Sequence, residues 1–167
     1  MFESGRFGVG SATNKIRFFV SYDGEHDGDL YDRLVEQASE TASGFEVSAR
    51  SRARAPTDLW DEGLRREIRK VDGVMIICGE HTDCSERVGT ELRIAQEEKQ
   101  PYFLLWGQRE LMCTKPATAR SADGMYSCTW ETLQSLILTI RRAARSSEHL
   151  AALSRAKATS KSRPHPR

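Results

Sequence analysis

The 167-residue sequence has no apolar run near the roughly 20 residues that a membrane-spanning helix needs, and its opening, MFESGRFGVGSATNK, lacks the apolar core of a secretory signal. A cytoplasmic chain is therefore expected. The four cysteines, Cys78, Cys84, Cys113 and Cys128, show no disulfide-framework spacing, and Cys78 falls inside an apolar run, so reduced thiols are expected. Charge of one sign is missing too. Lys and Arg number 25 against 24 Asp and Glu, a net charge of +1 that supplies no overall field to recruit nucleic acid. A dinucleotide-binding fingerprint is also absent, because Gly8-Val9-Gly10 precedes the first apolar run instead of following it.

What is present reads as one globular domain: 38% of residues are hydrophobic and 29% charged, over a length that suits a single core. Residues 1–15, Gly- and Ser-rich without periodicity, read as a flexible leader, 16–145 as the domain, and 146–167 as a basic, disordered tail. Within the domain, KIRFFVSYD (15–23) predicts a buried strand, and the following HDGDLYDRLVEQASE switches to helical spacing with Leu30, Leu34, Val35 and Ala38. FEVSA (45–49) alternates as a second strand, and Trp60, Leu64, Ile68 and Val71 form one helical stripe after an Arg-rich loop. GVMIICG (73–79) is apolar throughout, as a strand covered on both faces requires, and Asp83 with Glu86 predicts a capping box before the stripe Val88, Leu92, Ala95. PYFLLWG (101–107) is another central strand, 108–128 carries weak strand signals near Met125 and Tyr126, and ETLQSLILTIRRAAR predicts a closing helix.

This alternation predicts an α/β fold: a central parallel sheet of four to five strands, right-handed crossovers and helices on both faces. Such a sheet places its ligand site beyond the carboxyl ends of the strands, near a topological switch point. The residues there are Ser21 to Asp23, Ala49 to Asp58 and Gly79 to Ser85. The first loop, Asp23-Gly24-Glu25-His26-Asp27, holds three carboxylates, which disfavours a phosphate cradle of the flavodoxin or P-loop type. A phospho-receiver is excluded as well, since Cys78-Gly79 stands where its acceptor carboxylate would end the third strand.

FFVSYDGEHD is similar to the opening strand and loop of TIR and TIR-like domains. GEHTDCSERVGTEL resembles the TIR-like stretch after strand three, with Thr82, Ser85, Val88 and Glu91 at matching positions. The resemblance covers residues 15–145, a flavodoxin-like/TIR-like fold, and extends in particular to the TIR-like sensor proteins of Thoeris antiphage defence. It implies an enzyme that cleaves the nicotinamide–ribose bond of NAD, with Glu91 as the essential carboxylate and an ADP-ribose-type product, linear, cyclic or conjugated. It further implies Ser21, Tyr22, Asp23, Asp27, Thr82, Ser85 and Arg87 as substrate contacts, NAD as substrate with no separate cofactor, and a downstream effector that reads the product. Arg87 departs from the family pattern, which has an aromatic four residues before the glutamate. An arginine there meets a substrate phosphate or pairs with Glu91 across one helical turn. At about 100° per residue, Glu91 lies about 60° from Val88 and about 40° from Ala95, on the margin of the buried face.

Blander readings stand beside each assignment. Ser21 and Tyr22 also suit a strand end, Asp27 a helix N-cap, and Trp60 core packing or a pocket wall. Cys78, His81 and Cys84 have metal-like spacing but no evident fourth ligand, so no metal is expected; His81 remains near enough to the cleft to touch substrate. Arg50, Arg52 and Arg54 suit a solvated loop, contact with a pyrophosphate, or self-association. The basic tail lacks aromatic residues for base stacking, which disfavours nucleic acid as a partner. Two other functions fit the same residues: a non-catalytic TIR-like interaction module, and an N-glycosidic enzyme like the nucleoside deoxyribosyltransferases.

Overall fold

The computed structural model describes residues 15–40, 43–51, 58–107 and 110–160. All of the expected leader (1–15) except Lys15, together with Arg52 and Arg54 and the end of the tail (161–167), lies outside the described residues. The elements alternate: β1 (Ile16–Ser21), α1 (Gly28–Ser39), β2 (Phe45–Arg50), α2 (Asp58–Arg69), β3 (Gly73–Cys78), α3 (Glu86–Glu97), β4 (Tyr102–Trp106), β5 (Met125–Ser127) and α4 (Trp130–Ser160). A single 3₁₀ turn, Thr82–Cys84, precedes α3.

The strands form one five-stranded sheet in the order β2-β1-β3-β4-β5, and every pairing is parallel. The order reverses between β1 and β3, which makes this a doubly wound, flavodoxin-like sheet with its switch point there. Strand alternation sends Phe18, Val20, Met75, Ile77 and Leu105 to one face, where Leu30 and Leu34 of α1 and Leu133, Leu136, Ile137 and Ile140 of α4 cover them. Phe19, Val74, Ile76, Cys78 and Leu104 face the other way, onto Leu64 and Ile68 of α2 and Val88, Leu92 and Ala95 of α3. Both faces are thus dry, which is why β3 reads as an unbroken apolar run. Each fully buried Leu, Ile or Phe contributes about 1.5–3 kcal/mol of transfer free energy, so these two layers dominate the fold. The ion pairs that tie α2 to α3, Arg65 and Arg69 to Glu98 and Arg93 to Asp61, lie at the solvated surface and contribute little beside them.

Three local expectations are corrected. The Asp83–Glu86 capping box does not form: α3 begins at Glu86 after Ser85, and Asp83 instead accepts a hydrogen bond from the Thr114 hydroxyl at 3.0 Å. The first strand ends at Ser21, two residues short, because the Asp23 carbonyl turns the chain by accepting from the His26 and Asp27 amides. The last helix does not stop before a disordered tail at 146 but continues to Ser160. Its added segment is rich in Ala, Leu, Arg and Lys, which favour helix even where the apolar period has ceased. No helix among the described residues is long and apolar enough to cross a membrane.

Candidate functional site

β1 and α3 bring Ser21 and Glu91 together at the carboxyl end of the sheet, beside the switch point. Glu91 is fully buried. The Ser21 hydroxyl donates to Oε2 at 2.5 Å, and the Ser51 hydroxyl reaches Oε1 at 2.7 Å and Oε2 at 2.9 Å. Ser51 is fixed because its amide continues the β1–β2 ladder to the Val20 carbonyl, one residue beyond β2. Burial pushes the Glu91 carboxyl up to about 7, against the two hydroxyl hydrogen bonds and the nearby Arg87 charge, which all favour the anion. At neutral pH the group is therefore poised between its two protonation states. Glu91 also lines a small cleft of about 120 Å³ with Phe19, Arg50, Trp60, Leu64 and Glu67. Trp60, half-buried, packs on the α2/α3 core layer and walls this cleft at once.

The loop after β1 is built by its own polar groups. Asp23 accepts from the Glu25 amide at 3.1 Å and holds His26 Nδ1 at 2.9 Å, contacts that lower the Asp23 carboxyl despite its burial and raise the His26 imidazole. Arg87 reaches over this loop, donating from Nη2 to the Tyr22 carbonyl at 3.4 Å. Asp23, His26, His81, Ser85 and Arg87 thereby border an open cleft of about 420 Å³. Tyr22 and Thr82 have partners within the chain. The Tyr22 ring stacks on Tyr31 at 4.6 Å and packs in the α1/α4 core layer, while buried Thr82 accepts from the Gly79 amide at 2.7 Å and so shapes the turn after β3. Asp27 sits beside Gly79 in a separate cleft. Among the described residues no three His, Cys, Asp or Glu side chains converge to hold a metal ion, and Cys78, buried in the strand, has its thiol pushed up to about 12 by burial.

No protein-family model matches the sequence, and no curated protein matches it either. Solved structures similar in outline include the following two. A 3-dehydroquinate dehydratase-like protein from Bifidobacterium longum aligns at a TM-score of 0.36 with 12% identity, over 75% of this chain and 94% of its own. The TIR domains of the activated Roq1 resistosome, which directly recognizes the pathogen effector XopQ, align at 0.34 with 14% identity, over 83% of this chain and 78% of theirs. The doubly wound topology itself, not these likenesses, establishes the fold class.

Ser51 is a site residue that the sequence pattern does not single out, because it opens an Arg-rich stretch whose composition reads as solvated loop. The usable signal is positional: it is the first residue past β2, at the end of the sheet where Ser21 also stands. Ser51→Ala is expected to cost about 1–2 kcal/mol of stability near neutral pH, since it strips a donor from a buried carboxylate. The same change raises the Glu91 carboxyl further, because the lost hydroxyl favours its anion. Denaturant unfolding, with the carboxyl followed by carbon NMR, measures both.

Proposed function

We propose that this chain cleaves the nicotinamide–ribose bond of NAD, with Glu91 as the carboxylate that acts on the ribose. The observation that supports this reading above all is a fully buried carboxylate at the switch point whose two oxygens both accept from hydroxyls. A ribose diol offers the same kind of donor pair. Exchange of the Ser51 hydroxyl for a sugar hydroxyl would leave no oxygen of Glu91 unpaired, which removes the main cost of entry. Bond breaking then expels neutral nicotinamide and leaves an oxocarbenium-like ribose, whose developing positive charge an adjacent carboxylate stabilises strongly in a water-poor site. Arg50, which lines the same cleft, and Arg87, one helical turn before Glu91, suit the pyrophosphate. Asp23, His26 and Ser85 border the open cleft for the remainder of the nucleotide.

The acceptor sets the product: water gives ADP-ribose, an internal hydroxyl a cyclic isomer, and another small molecule a conjugate. An antiphage signalling role in the cytoplasm, self-association through the loop around Arg50–Arg54 and an effector for the product belong to this reading through the TIR-like resemblance of residues 15–145. One observation favours the second reading, an interaction module. The Ser21–Glu91–Ser51 knot joins β1, the chain after β2 and α3, which is what a purely structural carboxylate would do.

Concentrated protein incubated with NAD, and separately with a deoxynucleoside plus a free base, separates the readings by chromatography with mass detection. Nicotinamide release with an adenine-containing product is expected from NAD. Base exchange without NAD cleavage would instead assign deoxyribosyl transfer, and silence in both, with candidate activators present, would assign the interaction module.

A further inference from the structure

We propose that the cleft between the loop after β1 and the turn after β3 is a second ligand site, which takes a small molecule bearing an amidinium or ammonium group. The cleft, of about 180 Å³, is lined by His26, Asp27, Leu30, Gly79, Glu80 and His81; it shares no lining residue with the cleft at Glu91, and adjoins the open cleft beside it through His26 and His81. This is far more room than the ~10–15 Å³ that one water needs.

Asp27 carries the argument. Its residue is only 5% exposed, and its Oδ2 has no hydrogen-bond partner. A buried polar oxygen left unpaired costs about 1–3 kcal/mol, so the fold keeps this one at a stability loss. The ordinary use of an Asp at this position is to cap a helix, yet as the residue before α1 its side chain makes no capping bond. Gly79 admits the carboxyl: a Cβ there would stand 2.0 Å from Oδ1. The group is thus placed by a close approach that only glycine permits, and a donor entering this cleft would pair a carboxylate that the chain itself leaves unpaired.

The lining selects the charge of that donor. Asp27 and Glu80 are acids, and no Lys or Arg is among the described lining residues, so an anion is disfavoured and a cation favoured. The His26 and His81 rings stand 4.4 Å apart at 46°, and Leu30 and Leu111 add apolar surface, which together suit a flat or short aliphatic body carrying the cation. Burial and the Asp23 charge push the Asp27 carboxyl up to about 6, against the lowering influence of His26 and His81, which leaves it mainly ionised at pH 7.5.

Benzamidine, a planar amidinium on one ring, is the probe, and benzoate is the anion of the same shape. Two-dimensional amide NMR of the full chain at pH 7.5 should show saturable shifts for residues 26–30 and 79–83 with benzamidine and no saturable shift with benzoate. Asp27→Asn should weaken benzamidine at least ~10-fold while preserving the dispersion of the spectrum, and Gly79→Ala should weaken it as well by evicting the carboxyl. Glu91→Gln should leave it unchanged, so loss of the NAD reading would not touch this one. Equal responses to benzamidine and benzoate, undiminished affinity in Asp27→Asn, or no saturable response in the wild type would each overturn the proposal.

Discussion

Glu91→Gln is expected to lower nicotinamide release from NAD by about 100-fold or more while leaving the protein folded. The size follows from the kind of interaction removed, since a preorganised charge aimed at the reacting centre is worth about 10²–10³ in rate. Gln preserves shape and one acceptor oxygen for the serine hydroxyls, so ground-state binding should change much less than turnover. The wild type should also show a pH profile that the variant lacks. Only the ionised carboxylate stabilises a cationic ribose, and the carboxyl titrates at about 7, so release should climb as pH rises through that value. Residual release by Glu91→Gln should be flat across the same range. Equal rates from the two proteins would remove Glu91 from the chemistry and leave the Ser21–Glu91–Ser51 knot as architecture.

The fold and the site differ in how far the sequence discloses them, for physical reasons visible at particular residues. Two-sided burial writes itself into composition, so the apolar runs at 16–21, 73–78 and 102–106 locate strands directly. β5, three residues long and only partly buried, carries a correspondingly weak signal. Glu91 shows the limit of helical-wheel reasoning. Angle alone puts it on the margin of the apolar stripe, whereas the structure buries it completely, because Ser21 and Ser51 close over it from other elements. Partners 70 and 40 residues away leave no local pattern. The capping signal at Asp83 fails for the same reason: Thr114, distant in sequence, takes the side chain that local spacing assigns to the helix. The end of α4 is hidden for a different reason, since a run of good helix formers needs no apolar period to persist as helix.

Stability should fall, not rise, between pH 4.5 and 8, and two buried carboxyls should account for much of the loss. Glu91 titrates at about 7 in the folded chain against an ordinary 4.5, and Asp27 at about 6 against 3.8. Both folded values lie above the unfolded ones, so the native state holds the extra protons. The associated stability is fully present below the unfolded values and is lost as pH rises through the folded ones. For Glu91 the difference corresponds to about 3 kcal/mol, at 1.36 kcal/mol per pH unit. The contribution of Asp27 should be smaller, since it borders an open cleft. His26, raised by Asp23, acts in the same direction, whereas Asp23 itself, lowered, opposes it only at more acid pH. Denaturant unfolding at pH 5 and pH 8 should therefore show the wild type less stable at pH 8, and Glu91→Gln should flatten most of the slope. At pH 8 the variant should be the more stable protein by about 1–3 kcal/mol, because it no longer ionises a group inside the core. A wild-type slope that survives in Glu91→Gln would place the titrating group elsewhere. A variant both more stable and inactive would mean that the carboxylate is retained at a cost to the fold, which is what a group kept for chemistry, and not for packing, should show.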